Sequence, residues 1–222
     1  MFCYFLGFLA QGCGGRGNER QEKRQDTEAI GQQPGKAAPD SPKILFFGNS
    51  LTAGYGLEPG EAFPALIQKK LDSLDMDYQV VNAGLSGETT ASGKNRLAWV
   101  LDKDISLVVI ELGANDGLRG IPLEETQGNL QAMVDMVQEK LPRATIVLAG
   151  MQLPPNMGPE YSSGFREIFP RLAEKEGLHL IHFLLEGVGG VPELNQGDGI
   201  HPTAEGHRLL AENVWEVLWY LL

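Results

Sequence analysis

Five short apolar runs alternate along this chain with longer segments whose apolar residues recur at helical spacing. Lys43-Ile44-Leu45-Phe46-Phe47, bounded by Pro42 and Gly48, reads as a buried strand ending in a tight turn. The same signature recurs at residues 78–81, 107–112, 145–149 and 178–183, of which Leu107-Val108-Val109-Ile110-Glu111-Leu112 is the clearest. Between the strands, helices are expected over 62–74, 89–100, 123–141 (stopped by Pro142), 165–176 and 203–222. In the terminal helix Leu209, Leu210, Val214, Val217, Leu218 and Leu221 should face inward. Strands alternating with helices at this spacing imply parallel pairing, with helices on both faces of the sheet. The pattern predicts an α/β fold: a three-layer α/β/α sandwich around a parallel five-stranded sheet, with no repeat and no second domain.

In such a sheet every loop that follows a strand emerges at the same carboxyl edge, where ligands bind. Ser50 follows the first strand, residues 84–87 the second, Asn115 the third, and Asp198 and His201 the fifth. A nucleophile, a backbone donor, an amide donor, and an acid with a base thus share one rim, the inventory that acyl transfer requires. Each piece alone has a plainer reading. Asn49-Ser50 can cap a helix, Gly87 can be a turn glycine, Asn115-Asp116-Gly117 is ordinary turn chemistry, and Asp198 to Pro202 can cap the last helix. Their order along the chain carries the case.

Four stretches are specific as a set: residues 47–56 (FGNSLTAGYG), 86–89 (SGET), 111–120 (ELGANDGLRG) and 198–202 (DGIHP). On them the chain resembles the GDSL/SGNH hydrolase family, especially its bacterial arylesterase, acyl-CoA thioesterase and lysophospholipase branch. The resemblance spans the whole folded part and implies the flavodoxin-like SGNH fold. It implies that Ser50 is the nucleophile, His201 the general base and Asp198 the carboxylate that orients it. It also implies an oxyanion hole of the Ser50 and Gly87 N–H groups and the Asn115 side-chain amide, with no metal or organic cofactor. Leu118 and Ile121, with Leu153 and Pro154, match loops that line an acyl pocket in that branch. Most members have aspartate before the serine where this chain has Asn49; an amide still accepts one loop hydrogen bond, and it removes a negative charge beside the developing oxyanion. The glycine-x-serine-x-glycine elbow of α/β-hydrolases is absent, because Thr52 holds its last position.

Charge narrows the partners. The chain of 222 residues carries a net −11, and residues 1–42 contribute five basic and five acidic residues, leaving 13 basic against 24 acidic in the rest. A domain this acidic repels a phosphate backbone, so nucleic acid is excluded as a partner, and nothing steers coenzyme A, which makes thioester cleavage incidental. Both cysteines, Cys3 and Cys13, precede the folded part, so the domain has no disulfide framework, Cys-based metal site or thiol nucleophile. Residues 1–12 are read as a lipoprotein signal peptide, Cys13 as the lipidated residue and 13–42 as a polar tether, with the hydrolase domain at 43–222. That places the protein at the periplasmic face of a bacterial envelope, held by its lipid; a cytoplasmic enzyme with a stray apolar start is the alternative. His179 and His182 have no acidic or cysteine partner nearby in sequence and are not read as metal ligands, and His207 is read as a surface or packing residue.

The expected function is hydrolysis of aryl or medium-chain acyl esters and lysophospholipids, by a monomer, through an acyl-enzyme. A carbohydrate O-acetylesterase is the alternative on the same scaffold; it needs a shallow polar site, against which the apolar loop residues argue. A binding module of flavodoxin type, with residues 48–56 cradling a phosphate, is the alternative of a different class. It leaves Asp198 and His201 unused.

Overall fold

A computed structural model describes residues 40–222. The leader, Cys13 and nearly all of the tether lie outside the described residues. The tether's last residues do not: Ser41 is buried and donates to Asp77 Oδ1 at 2.5 Å, and the Pro42 carbonyl accepts from the Gln79 N–H, so the folded part starts slightly before Lys43.

The strands are β1 (Lys43–Gly48), β2 (Gln79–Gly84), β3 (Ile105–Glu111), β4 (Thr145–Ala149) and β5 (His179–Ile181). They form one parallel sheet in the order β2-β1-β3-β4-β5. Central strands of a parallel sheet are covered on both faces, which is why β1 and β3 read as unbroken apolar runs; the edge strand β2 is only half-buried. Helices α1 (Ser50–Ala53), α2 (Phe63–Ser73), α3 (Thr90–Val100), α4 (Ala114–Leu118), α5 (Leu123–Lys140), α6 (Pro159–Glu176) and α7 (Ala204–Leu218) complete the chain. Helix α2 packs on α7, while α5 packs on both α3 and α6. Leu130, Met133, Val134 and Val137 give α5 its buried face at the expected spacing.

Three expectations need correction. The one-turn helices α1 and α4 stand where loops were expected, since a single turn has no amphipathic period to read. Helix α6 starts at Pro159 rather than at 165: Gly158 takes φ 86° before it and proline suits the first helical position. Leu209 faces outward at 37% exposure, because the inner face of α7 runs through His207, Leu210, Ala211, Val214 and Leu218.

His207 is a packing residue with a polar task. Its buried Nδ1 accepts the Phe63 N–H at 3.1 Å, satisfying a donor at the start of α2 that no side-chain cap serves. Burial pushes its pKa down from 6.5 to about 4. Between these values the unfolded chain binds a proton that the folded chain refuses, so this residue's contribution falls as pH drops from 6.5 to 4, by on the order of 3 kcal/mol. The difference in melting temperature between wild type and His207→Gln should therefore shrink from pH 7 to pH 4, other titrating groups being common to both proteins. A difference that stays flat would contradict the assignment.

Candidate active site

Gly48 lies level with Gly84 of β2 on one side and Glu111 of β3 on the other, so the chain leaves three neighbouring strands at one height. Two residues beyond Gly48, Ser50 opens α1. Asn49 caps that turn, its Oδ1 accepting the Leu51 N–H at 2.9 Å, and Gly54 closes it in the left-handed region with φ 74°. The plain capping reading of Asn49 and the nucleophile reading of Ser50 are therefore compatible. At Gly84 a side chain would collide with the Thr52 and Ala53 backbone, so glycine lets the end of β2 approach α1. Beneath the turn Glu111, wholly buried, accepts from the Asn49 N–H (3.1 Å), Asn49 Nδ2 (2.7 Å), the Thr52 N–H (3.2 Å) and Thr52 Oγ1 (2.7 Å). Burial pushes its carboxyl up to about 7 while these donors pull the other way.

The loop before α7 is closed on itself. Asn195 and Pro202 form an antiparallel bridge, the Gln196 N–H donates to the His201 carbonyl at 2.7 Å, and Gly199 turns with φ 69°. Inside it Asp198 Oδ1 accepts the Ile200 N–H (2.9 Å) and the His201 N–H (3.0 Å), and Oδ2 lies 2.6 Å from His201 Nδ1. The His201 N–H, then the His201 ring and the Ile200 N–H, hold the Asp198 carboxyl well below the usual carboxylate range. An ionised carboxylate only accepts, so the ring proton sits on Nδ1 and Nε2 is left as an acceptor. Nε2 is 3.0 Å from Ser50 Oγ. The other neighbour of that hydroxyl, Asn49 Oδ1, is at 3.4 Å, beyond the usual O–H···O range. Gln196 Nε2 joins the two loops by donating to the carbonyls of Tyr55 (2.7 Å) and Pro202 (3.0 Å), and the Tyr55 ring lies 4.5 Å from the His201 ring.

Gly87 sits exposed on the neighbouring loop with φ 79°, a conformation that favours glycine. Next to it Glu88 is buried against Arg96 (2.5 Å), which also donates to the Ala83 carbonyl and lies over the Phe47 ring. Asn115 Nδ2 donates to the Glu88 carbonyl at 3.0 Å and keeps a second amide proton, while Arg119 donates to the Gly87 carbonyl at 3.1 Å. Among the described residues no backbone carbonyl accepts from the Ser50 or Gly87 N–H. Asp116, next to Asn115, is buried and taken by the Thr90 N–H (2.9 Å) and Thr90 Oγ1 (2.5 Å).

The four acyl-pocket candidates lie on the segments that follow β3 and β4. Leu118 is over a third exposed, Ile121 is half-buried with its carbonyl taking the Tyr161 hydroxyl at 2.6 Å, and Pro154 is exposed. Leu153 packs against Gly117 and lines a hollow of about 220 Å³ with Gln152, Pro159, Ser162, Ser163 and Arg166, a wall that includes none of the other three. Tyr55, Leu85, Leu118 and Ile200 are exposed apolar side chains, one on each of the four loops that carry Ser50, Gly87, Asn115 and His201. His179 and His182 are both exposed, and no group of three metal-ligating side chains exists among the described residues.

Sequence reasoning missed Glu111, the Asp116–Thr90 contact and the Glu88–Arg96 pair. For Glu111 the signal was present: a lone carboxylate inside an apolar strand is rarely left without partners.

Residues 46–209 match the GDSL-like Lipase/Acylhydrolase family. Over 180 residues the chain is 44% identical to Esterase TesA of Pseudomonas aeruginosa, covering 81% of this chain and 89% of that protein. It is 39% identical over 183 residues to the Arylesterase of Vibrio mimicus, covering 82% and 90%. Among solved structures, the psychrotrophic esterase EstA from Pseudoalteromonas sp., inhibited by monoethylphosphonate, superposes with a TM-score of 0.76 at 36% identity, covering 81% of this chain and 97% of the other.

Proposed function

The chain belongs to the GDSL-like lipase/acylhydrolase family and is a serine esterase, and from that premise we propose that Ser50, His201 and Asp198 carry the reaction. The observation that supports the assignment best is the unbroken chain from Asp198 through His201 to Ser50, with steps of 2.6 Å and 3.0 Å. As Ser50 Oγ attacks the ester carbonyl carbon, His201 Nε2 takes its proton, and Asp198 stabilises the imidazolium. The carbonyl oxygen becomes an oxyanion facing the Ser50 and Gly87 N–H groups and the spare Asn115 amide proton. One such donor is typically worth about 3 kcal/mol of transition-state stabilisation. Collapse expels the alcohol, which receives the proton from His201; water then attacks the acyl-enzyme by the same route in reverse.

Aryl and medium-chain acyl esters, including lysophospholipids, are the proposed substrates, on the strength of the apolar side chains around the mouth; thioesters are incidental. A panel of p-nitrophenyl esters from acetyl to palmitoyl tests this, and kcat/KM should peak at intermediate chain length. A peak at acetyl, together with release of acetate from acetylated sugars, would replace this reading by the O-acetylesterase one.

The site of action proposed is the periplasmic face of the envelope, the enzyme a monomer held by lipid on Cys13. Its support is the apolar start followed by a polar tether; no helix among the described residues is long and apolar enough to cross a membrane. Labelled palmitate should enter the wild-type chain in a bacterial host and not Cys13→Ser; equal labelling of both would refute the anchor.

A further inference from the structure

Glu111 is a carboxylate at the end of a central strand, wholly buried, with no cation paired to it among the described residues. Burying a charge this way is costly unless hydrogen bonds compensate for the lost water. All four compensating donors come from Asn49 and Thr52, the residues on either side of Ser50-Leu51. Oε2 accepts the Asn49 N–H, the Thr52 N–H and Thr52 Oγ1, and Oε1 accepts Asn49 Nδ2. The turn that presents Ser50 is thus clamped from beneath by one side chain. A Cβ on Gly48 would collide with Glu111 Oε2, so the strand before the nucleophile is also shaped to this carboxylate.

The Asn49 amide can point only one way. Its Oδ1 is needed by the Leu51 N–H and its Nδ2 by Glu111 Oε1; a flip would set donor against donor at the first and acceptor against acceptor at the second. An aspartate in the same place could accept from Leu51, but would face Glu111 across 2.7 Å, and two carboxylates that close must hold a proton between them. The bond would then exist only while that proton stays. The other groups facing the carboxylate, Thr52 and the Gly48 backbone, do not titrate.

We propose that Glu111 is a positioning residue for Ser50, and that Asn49 is its permanent donor, so that the clamp on the nucleophile turn does not depend on a shared proton. Glu111 touches no substrate; it fixes the Ser50 hydroxyl against His201 and the Ser50 N–H against the oxyanion. The inference rests on Ser50 being the nucleophile.

Three variants test it, with kcat, KM and melting curves measured from pH 7 to 10 on a soluble short-chain ester. In Glu111→Gln one amide group must face the Asn49 amide donor to donor; kcat should fall by about 10²-fold at every pH, with KM within about threefold, as expected for a misplaced nucleophile. In Asn49→Asp the kcat relative to wild type should decline as pH rises and the shared proton is lost. In the double variant, Asn49→Asp with Glu111→Gln, the polarity of one bond is simply reversed. The amide introduced at position 111 keeps an oxygen for the three donors now on Glu111 Oε2 and gives an N–H to the carboxylate introduced at position 49. There kcat should return to within about fivefold of wild type, without the alkaline decline. A double variant no better than Glu111→Gln, or an Asn49→Asp ratio flat with pH, would overturn the proposal. If Glu111→Gln does not fold, Thr52→Val carries the test: it should lower kcat severalfold where Thr52→Ser does not, and full activity in Thr52→Val would count against the clamp. Phosphonate labelling of wild-type Ser50 is the separate check on the premise. Failure to label removes the nucleophile, whereas labelling without rescue removes only the clamp.

Discussion

Ser50→Ala should fold as the wild type does and hydrolyse esters slower by roughly 10⁴-fold or more. Loss of a nucleophile leaves only binding and oxyanion stabilisation, and among the described residues no other side-chain hydroxyl is hydrogen-bonded to His201. Folding should survive because the bonds that shape the turn belong to its neighbours: Asn49 and Thr52 bind Glu111, and the Leu51 N–H binds Asn49. The Ser50 hydroxyl itself has one good partner, His201 Nε2, and one long contact. The comparison needs turnover on a p-nitrophenyl ester, a melting curve, and mass-spectrometric detection of a phosphonate adduct. The wild type should gain the adduct on Ser50 and the variant should gain none. A variant with a substantial fraction of wild-type turnover would end the serine mechanism for this chain, and with it the mechanistic reading of His201 and Asp198.

The place of the site follows from the strand order. The first connection runs outward from β1 to β2, the second returns across β1 to β3, and the later ones continue the other way to β4 and β5, so the direction of winding reverses between β1 and β3. A crevice opens where the connections part. Ser50 follows β1 and Asn115 follows β3, at that division. His201 arrives from the far edge, beyond β5, and is brought across by its own closed loop and by Gln196 reaching the Tyr55 carbonyl.

This division also explains what the sequence could and could not reveal. Buried parallel strands are apolar along their whole length, so Leu107 to Ile110 or Thr145 to Ala149 announce themselves without any partner in view. The rim residues were legible through their order, because each strand must deliver its loop to one edge. Helices α1 and α4 were not, being one turn long and set by caps and glycines rather than by periodicity. The fate of Asp116 was equally hidden: next to Asn115 it looks available for catalysis, and only the fold brings Thr90 over it.

Asp198→Asn should cost about 10³ to 10⁴-fold in kcat while leaving the loop folded. The carboxylate has two tasks on two oxygens. Oδ1 holds the Ile200 and His201 N–H groups, and Oδ2 accepts from His201 Nδ1. An asparagine oxygen can keep the first task, which preserves the turn. Its amide then faces Nδ1 and donates to it, forcing the ring proton onto Nε2, where it points at Ser50 and can no longer accept the hydroxyl proton. The charge that supports the imidazolium formed during attack is lost as well. In the wild type Asp198 stays ionised, because its hydrogen bonds hold its carboxyl far below the ordinary range. Phosphonate labelling of Ser50 in the variant should slow without vanishing, since the oxyanion donors are untouched. Full turnover would mean that another group orients His201; with Asp116 already engaged by Thr90, the described residues offer no second carboxylate bonded to that ring.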